Sequence, residues 1–308
     1  MSVAIRTRNL GRSFKDLWAV RGLDLEVRRG EIFGLVGPDG AGKTTTMRLL
    51  TGILAASEGE AEVAGFPIGG GEEAIKLRIS YMSQRFGLYG DLSVEENLRF
   101  YADLYEVPRR ERELLEERLL GFSNLTPFRK RLARNLSGGM KQKLGLACAL
   151  IHKPEILFLD EPTNGVDPVS RRDFWRILYA MLKEGVTIFV STAYLDEAER
   201  CSRVGLMHRG RLIQCDTPQK LKQGMAGQLL ELETEHPRAA REALAAFLGW
   251  NRVSLFGGTL HLYAADAVEA AEARRILADA GIALLAEKLI TPSLEDVFIR
   301  QVGEDEAA

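Results

Sequence analysis

The amino-acid sequence predicts an α/β fold with a mixed core sheet, followed by a smaller α+β domain. Three observations support this expectation. A glycine-rich loop lies between an apolar strand and a helical pattern, apolar runs typical of buried strands return after residue 136, and the pattern changes again after Pro218. The chain of 308 residues is long enough for one large and one small domain.

Charge and composition narrow the class of protein. A net charge of −2 gives no support for nucleic-acid binding, and three scattered cysteines favour reduced thiols in a cytosol. The first ten residues lack the apolar core of a signal peptide, and no run of about 18 apolar residues could cross a bilayer. We therefore expect a cytoplasmic chain, so that other chains cross any membrane it serves.

The loop of residues 37–45 carries the strongest motif. Gly37, Gly42, Lys43 and Thr44 satisfy the pattern GxxxxGK[ST] between a strand and a helix. Glycines let backbone N–H groups turn inward, and the helix start adds unpaired N–H groups and a positive dipole. We expect Lys43 to reach the outer phosphates of a nucleotide and the Thr44 hydroxyl to bind Mg²⁺. The alternative is a glycine-rich turn with a surface lysine.

The regions flanking this loop predict a small antiparallel subdomain. Strands are expected at residues 3–6 and 23–27, where charged and apolar side chains alternate, and shorter strands at 59–63 and 66–68. The helical and charged pattern of about residues 85–135 predicts a helical subdomain.

Two helices are expected within that helical subdomain. Ser93 and Glu96 have the spacing of a capping box at the start of the first helix. Residues 109–120 predict a second, highly charged helix, whose surface is either solvated or docks a partner.

The α/β alternation returns over residues 136–220. An apolar run at 156–159 predicts a buried strand, and Asp167 followed by proline predicts the start of an amphipathic helix. Another buried strand is expected at 186–190, then a short helix at 196–201 and a closing hairpin.

Residues 226–302 predict a separate α+β domain. The expected order is strand, helix, two short strands, helix, strand, helix. The domain contains no catalytic constellation, and substrate sensing, regulation of turnover and dimerisation all remain open roles for it.

Two further segments carry chemistry. An apolar strand ends in Asp160 and Glu161. In a nucleotidase the first carboxylate would bind the Mg²⁺ shell and the second would polarise a water molecule, whereas the alternative is a solvated acidic pair. Ser137, Gly138 and Gly139 precede a helix, so that an N-cap and bare N–H groups predict a second anion-binding site.

The order of these motifs resembles the nucleotide-binding subunit of an ABC transporter over residues 1–220. The resemblance implies a P-loop NTPase of ABC type, with a mixed core sheet, an antiparallel β subdomain and a helical signature subdomain. It also implies ATP hydrolysis with ATP and Mg²⁺ as cofactors. Residues 291–298 resemble the tail of drug- and polysaccharide-export ATPase subunits.

Site residues carried over from this resemblance fall into three groups. Glu161 matches the catalytic base, and Gln84 and Lys43 complete the catalytic set. Mg²⁺ would be held by Thr44, Gln84 and Asp160. The positions expected to contact nucleotide are Phe14, Val20, Gly37, Asp39, Gly40, Ala41, Gly42, Lys43, Thr44, Thr45, Ser137, Gly138 and Gly139, where Phe14 either stacks on adenine or is a core aromatic.

The resemblance also implies partners. The segment around Ser137 of one subunit would close on the ATP of another, giving a head-to-tail homodimer or heterodimer around two nucleotides. Transmembrane permease subunits would be separate chains, with this chain peripheral on the cytoplasmic face of the membrane.

One position departs from the family pattern. Ala193 stands where the family has a histidine after Ser-Thr, and a methyl group can neither donate to the γ-phosphate nor orient Glu161. We expect slow turnover at a site that uses Ala193, and pairing with a histidine-bearing subunit or domain would give one fast and one slow site.

Two other functions compete with transport. A non-transport ABC ATPase of ribosomes or DNA would carry two motif sets, a basic linker or a coiled coil, none of which the sequence shows. A regulatory module using ATP to hold a dimer is favoured by Ala193 and opposed by Glu161. Single-turnover ATP cleavage discriminates between these functions.

Overall fold

The computed structural model describes residues 2–84, 87–225 and 227–307. The chain divides into two compact units, residues 1–212 and 213–308, and each unit is described by itself. The domain boundaries expected from the sequence, 1–220 and 226–302, stay predictions.

The first unit is an α/β structure. Its strands are β1 (Val3–Phe14), β2 (Leu17–Arg28), β3 (Ile32–Val36), β4 (Glu58–Val63), β5 (Phe66–Pro67), β6 (Ile79–Met82), β7 (Ile156–Asp160), β8 (Thr187–Thr192), β9 (Arg203–His208) and β10 (Arg211–Asp216), within which the boundary between the units falls. Its helices are α1 (Lys43–Leu50), α2 (Glu72–Lys76), α3 (Val94–Leu104), α4 (Arg109–Ser123), α5 (Gly138–Leu150), α6 (Pro168–Lys183) and α7 (Leu195–Ala198).

A six-stranded sheet in the order β10-β9-β3-β8-β7-β6 forms the centre of this unit. β3 is parallel to β8 and β9, and β7 is parallel to β6 and β8. All residues of β3, β7 and β8 are buried, which explains their continuous apolar runs. The two-residue connection from β9 to β10 requires an antiparallel pair, so the predicted mixed sheet is confirmed.

A second, four-stranded sheet has the order β2-β1-β4-β5 and is antiparallel, as expected. β1 and β2 each contain 12 residues and are therefore longer than the sequence indicated. The difference arises because register shifts interrupt the pairing between Thr7 and Leu10, where Asn9 has a φ of 46°. Such a bulge breaks the period of two by which a strand is recognised in a sequence.

The predicted helix starts are confirmed. Ser93 and Glu96 form the capping box of α3, Ser137 caps α5 and Asp167 caps α6. The helix expected at 196–201 is shorter, because the Ser202 N–H group donates to the carbonyl oxygen of Ile32 at 2.8 Å and begins strand pairing.

The second unit begins with α8 (Pro218–Gln223), a helix that the sequence analysis did not predict. The elements that follow have the predicted order and are β11 (Gln228–Thr234), α9 (Pro237–Leu248), β12 (Val253–Phe256), β13 (Thr259–Ala264), α10 (Ala267–Asp279), β14 (Leu284–Ile290) and α11 (Leu294–Ala307). The strands form an antiparallel sheet in the order β12-β13-β11-β14. Leu230, Leu244, Leu260 and Leu277 belong to its own apolar core.

Across the three described ranges of the chain, no helix combines the length and the apolar character that crossing a membrane requires.

The capping box of α3 gives a testable prediction. Ser93 Oγ accepts from the Glu96 N–H group at 3.3 Å, and Glu96 Oε2 accepts from the Ser93 N–H group at 2.7 Å. We expect Ser93→Ala to cost about 1 kcal/mol and to speed local opening of α3 about fivefold. Hydrogen exchange of a peptide spanning α3 measures this effect. Ser137→Ala removes the cap of α5 and should leave exchange in α3 unchanged, whereas unchanged exchange in Ser93→Ala would contradict the assignment.

Candidate active site

The carboxyl ends of four neighbouring parallel strands bring part of the predicted site together. Val36 pairs with Thr192, Asp160 with Ser191, and Met82 lies beside Leu159. The loops that follow these strands therefore begin at the same edge of the sheet, which is where ligands bind in open α/β sheets.

A cleft of about 510 Å³ lies at this edge. Its lining is mainly polar and comes from three loops, the first turn of α1 and the start of β2. The lining residues are Ala19, Asp39, Gly40, Gly42, Lys43, Thr44, Thr45, Gln84, Glu161 and Asn164.

Two glycines allow the loop after β3 to curl tightly. Gly42 has a φ of 106°, and a β-carbon there would lie 2.3 Å from the carbonyl oxygen of Ala19. A β-carbon at Gly37 would lie 2.2 Å from the carbonyl oxygen of Met207. A side chain at either position would therefore push the loop away from β2 or β9.

Lys43 is buried at the base of the cleft. Its Nζ donates to the carbonyl oxygens of Gly37 and Pro38 at 2.8 and 2.9 Å. It also forms an ion pair with Glu161 Oε1 at 3.1 Å, where the two side chains are only 4% and 12% exposed. The curled loop thus places one ammonium group at the cleft, where it could bind phosphate oxygens.

Asp160 is the centre of a second set of contacts. Its Oδ1 accepts from Thr44 Oγ1 at 3.0 Å and from Ser191 Oγ at 2.8 Å, and its Oδ2 accepts from the Tyr81 hydroxyl at 3.1 Å. Burial, with the nearby charge of Asp160, raises the pKa of Tyr81 to about 12, so that this hydroxyl stays protonated at neutral pH. Adjacent hydroxyl and carboxylate oxygens are the hard ligands that Mg²⁺ prefers, and Thr44 and Asp160 therefore fit the ion.

Glu161 has an uncommon backbone conformation for a non-glycine residue, with a φ of 47°. Its N–H group donates to Ser191 Oγ at 3.0 Å, which holds the turn at the end of β7. Its Oε2 accepts from Gln84 Nε2 at 3.2 Å and from Asn164 Nδ2 at 3.4 Å. The carboxylate is therefore contacted on both oxygens.

Sequence reasoning missed three contributors to this arrangement. Ser191 connects Asp160 to the backbone of Glu161, Tyr81 contacts Asp160, and the side chain of Asn164 contacts Glu161. Only their positions in the sequence could have indicated them. Tyr81 and Ser191 lie near the carboxyl ends of β6 and β8, the two neighbours of β7, and Asn164 lies in the segment after β7.

Gly37 and Ala41 are buried within the loop after β3 and do not line the cleft, and Val20 and Phe14 also lie away from its lining. Val20 is fully buried, and its neighbour Ala19 lines the cleft instead, because successive side chains of β2 point to opposite faces. Phe14 is 46% exposed at the end of β1, where the Arg12 guanidinium lies 4.8 Å from its ring centroid.

The predicted second anion site also lies outside the lining of the cleft in the described chain. Ser137 Oγ accepts from the Met140 N–H group at 3.3 Å, and Gly138 and Gly139 form the first residues of α5. A β-carbon at Gly139 would lie 2.4 Å from Ser170 Oγ, so that this helix start packs closely against α6.

The fold and the cleft define a phosphate-binding-loop nucleotidase. Residues 20–164 match the sequence profile of the family described as ABC transporter. The chain is 34% identical over 306 residues to the daunorubicin resistance ATP-binding protein DrrA2 of Streptomyces coeruleorubidus, covering 97% of this chain and 95% of that protein. The chain belongs to the ABC transporter family of ATP-binding proteins, whose members are ATPases coupled to transport.

Other relatives agree with this placement. A Nod factor export ATP-binding protein I of Burkholderia orbicola is 35% identical over 99% of both chains. A probable multidrug ABC transporter ATP-binding protein, YbhF of Escherichia coli, is 44% identical over 92% of this chain but 49% of its own length, so that the chain spans about half of it.

Solved structures show the same fold. CbiO1 of Clostridium perfringens, part of the ABC transporter complex cbiONQ, superimposes with a TM-score of 0.67 at 27% identity, covering 72% of this chain and 91% of that one. A dimeric ATP-binding cassette, MJ0796 bound to ADP and Pi, gives a TM-score of 0.64 at 22% identity over 69% and 98% of the two chains.

The close approach of Gly42 to Ala19 gives a prediction with a matched control. Gly40 also has a positive φ, 79°, but a β-carbon there would meet no atom within 4 Å. Both alanine substitutions carry the strain of a left-handed residue, about 1–2 kcal/mol, and only Gly42→Ala adds a clash with backbone. We expect Gly42→Ala to lower the melting temperature, measured without nucleotide, by about 4 °C more than Gly40→Ala does. Equal losses would contradict the clash.

Proposed function

We propose that this chain binds and hydrolyses ATP with Mg²⁺ in the cleft and uses the cycle to power export through permease subunits on separate chains. The supporting observation is the convergence of Lys43, Thr44, Asp160, Glu161 and Gln84 at one edge of the sheet. A non-transport role is not favoured, because the relatives are named for drug resistance and export.

Each side chain has a proposed task in cleavage. Lys43 binds the outer phosphates of ATP, and Thr44, Asp160 and Gln84 hold the Mg²⁺, which when bound neutralises phosphate charge. Glu161 accepts a proton from the water that attacks the γ-phosphorus, while the bond to the bridging oxygen of ADP breaks. The loop glycines, with Asp39, Ala41 and Thr45, form the phosphate cradle.

A second subunit completes the proposed site. The start of α5, with its cap on Ser137, lies outside the lining of the cleft in the described chain, and such a helix start binds anions. In a head-to-tail dimer it would contact the ATP of the partner, either in a homodimer or with a related subunit.

The location and cargo are also proposals. We infer that the chain is peripheral on the cytoplasmic face of a membrane, and that its cargo class is that of its relatives named for multidrug transport, daunorubicin resistance and Nod factor export. Selectivity for the exported molecule would belong to the permease subunits.

Replacement of Glu161 by glutamine tests the proposed base. Glutamine retains the shape of the side chain but cannot accept a proton, so cleavage in a single turnover should fall about 10²- to 10⁴-fold. Binding of Mg–ATP should persist. Glu155, at the other end of the same strand, forms surface ion pairs with Arg29 and Arg78, and Glu155→Gln should leave the rate unchanged. Failure of the unaltered chain to bind Mg–ATP would overturn the proposal.

Ala193 predicts a gain of activity. It is exposed directly after β8, at the edge that carries the cleft. We expect Ala193→His to raise steady-state ATP turnover about tenfold or more, because the imidazole supplies a donor toward the γ-phosphate. Ala193→Phe adds a ring without a donor and should give no gain. Turnover of about 1 per second in the unaltered chain, unchanged by histidine, would contradict slow hydrolysis at this site.

A further inference from the structure

The carboxylate of Glu161 depends on two amide donors once Lys43 binds phosphate. In the structure Glu161 Oε1 is paired with Lys43 at 3.1 Å, and Oε2 accepts from Gln84 and Asn164. A triphosphate bound by Lys43 competes for that ammonium group. The contacts to Oε2 then remain to hold the carboxylate in place.

The side chain of Asn164 is held in one orientation by its two neighbours. A carboxylate can only accept hydrogen bonds, so Asn164 must turn its amide nitrogen toward Glu161. Its carbonyl oxygen then faces away and accepts from the hydroxyl of Tyr194 at 3.3 Å. Tyr194 therefore contacts the group that orients the proposed base.

Tyr194 is itself well supported. The Arg171 guanidinium lies 4.6 Å from the centroid of its ring, and the Tyr194 N–H group donates to Thr192 Oγ1 at 3.0 Å. Arg171 and Thr192 both contact the fully buried Glu197, at 3.3 and 3.0 Å. Tyr194 is thus held at its ring by Arg171 of α6 and at its backbone by the end of β8.

A buried carboxylate ties these supports to the loop that carries Asn164. Glu197 Oε1 accepts from Thr163 Oγ1 at 2.6 Å, one residue before Asn164. Thr163 is buried, and Glu197 has no exposed surface. The segment after β7 and the segment after β8 are therefore joined at two points, Thr163 with Glu197 and Asn164 with Tyr194.

We propose that Tyr194 is a positioning residue for ATP cleavage, and that through Asn164 it orients the carboxylate of Glu161 in a chain where Ala193 cannot. The inference rests on the proposed function. The tyrosine hydroxyl is assigned only this orienting task, because it donates to Asn164 Oδ1, and no contact with the γ-phosphate is proposed for it. Contacts of 3.3 and 3.4 Å are within the range from which catalytic hydrogen bonds shorten when substrate is bound.

The test compares two tyrosines in the full chain. Tyr194→Phe removes only the hydroxyl and should lower the single-turnover cleavage rate about threefold to tenfold, the value of one hydrogen bond, while the Kd for Mg–ATP stays constant. Tyr179 is the matched control, because it is also 38% exposed and its hydroxyl donates to one oxygen, the carbonyl of Arg200 at 3.1 Å. Tyr179→Phe should change neither quantity.

A double-mutant cycle distinguishes positioning from general loss of structure. Asn164→Ala should lower the cleavage rate, and adding Tyr194→Phe to it should cause no further loss, because the hydroxyl acts through the amide. Additive losses, an unchanged rate in Tyr194→Phe, or a rate that falls in parallel with Mg–ATP affinity would each overturn the inference. If the unaltered chain binds Mg–ATP but never cleaves it, hydrolysis itself is wrong, and the inference falls with it.

Discussion

Parallel hydrogen bonding between β3, β8 and β7 is the constraint on which the cleft depends. The three strands are in register, so that Val36 meets Thr192 and Asp160 meets Ser191 at the ends of the strands. A slip of one residue would turn the Asp160 side chain to the other face of the sheet and move Ser191 away from it. The same strands are completely buried, and the residues that stabilise the core therefore also set the geometry of the chemistry.

In the proposed function, the ion pair between Lys43 and Glu161 connects nucleotide binding to cleavage. A buried charge is costly unless it is paired, and here each of the two groups satisfies the other. Phosphate oxygens that take Lys43 leave Glu161 with its amide contacts from Gln84 and Asn164. In the proposed function, occupation of the cleft by a nucleotide would therefore bind Lys43 and free the Glu161 carboxylate for proton transfer.

Local signals in the sequence predicted the phosphate loop, the acidic strand end and the helix caps, because each depends on residues close together in the chain. Contacts between strands were not predictable in this way. Ser191 and Tyr81 reach Asp160 only because β8 and β6 flank β7, and a single sequence does not state that order. Val20 was expected to contact nucleotide, whereas Ala19, whose side chain lies on the other face of β2, lines the cleft.

The close approach of Gly139 to Ser170 has a mechanical consequence. The first turns of α5 and α6 touch with no room for even one extra carbon atom, and Asp167 Oδ2 lies 3.6 Å from the same point. If one helix start moves toward the other, the other must move with it, because the contact leaves no space to absorb the shift. A methyl group at residue 139 would therefore separate the start of α5, which is proposed to contact the nucleotide of a neighbouring subunit, from the start of α6.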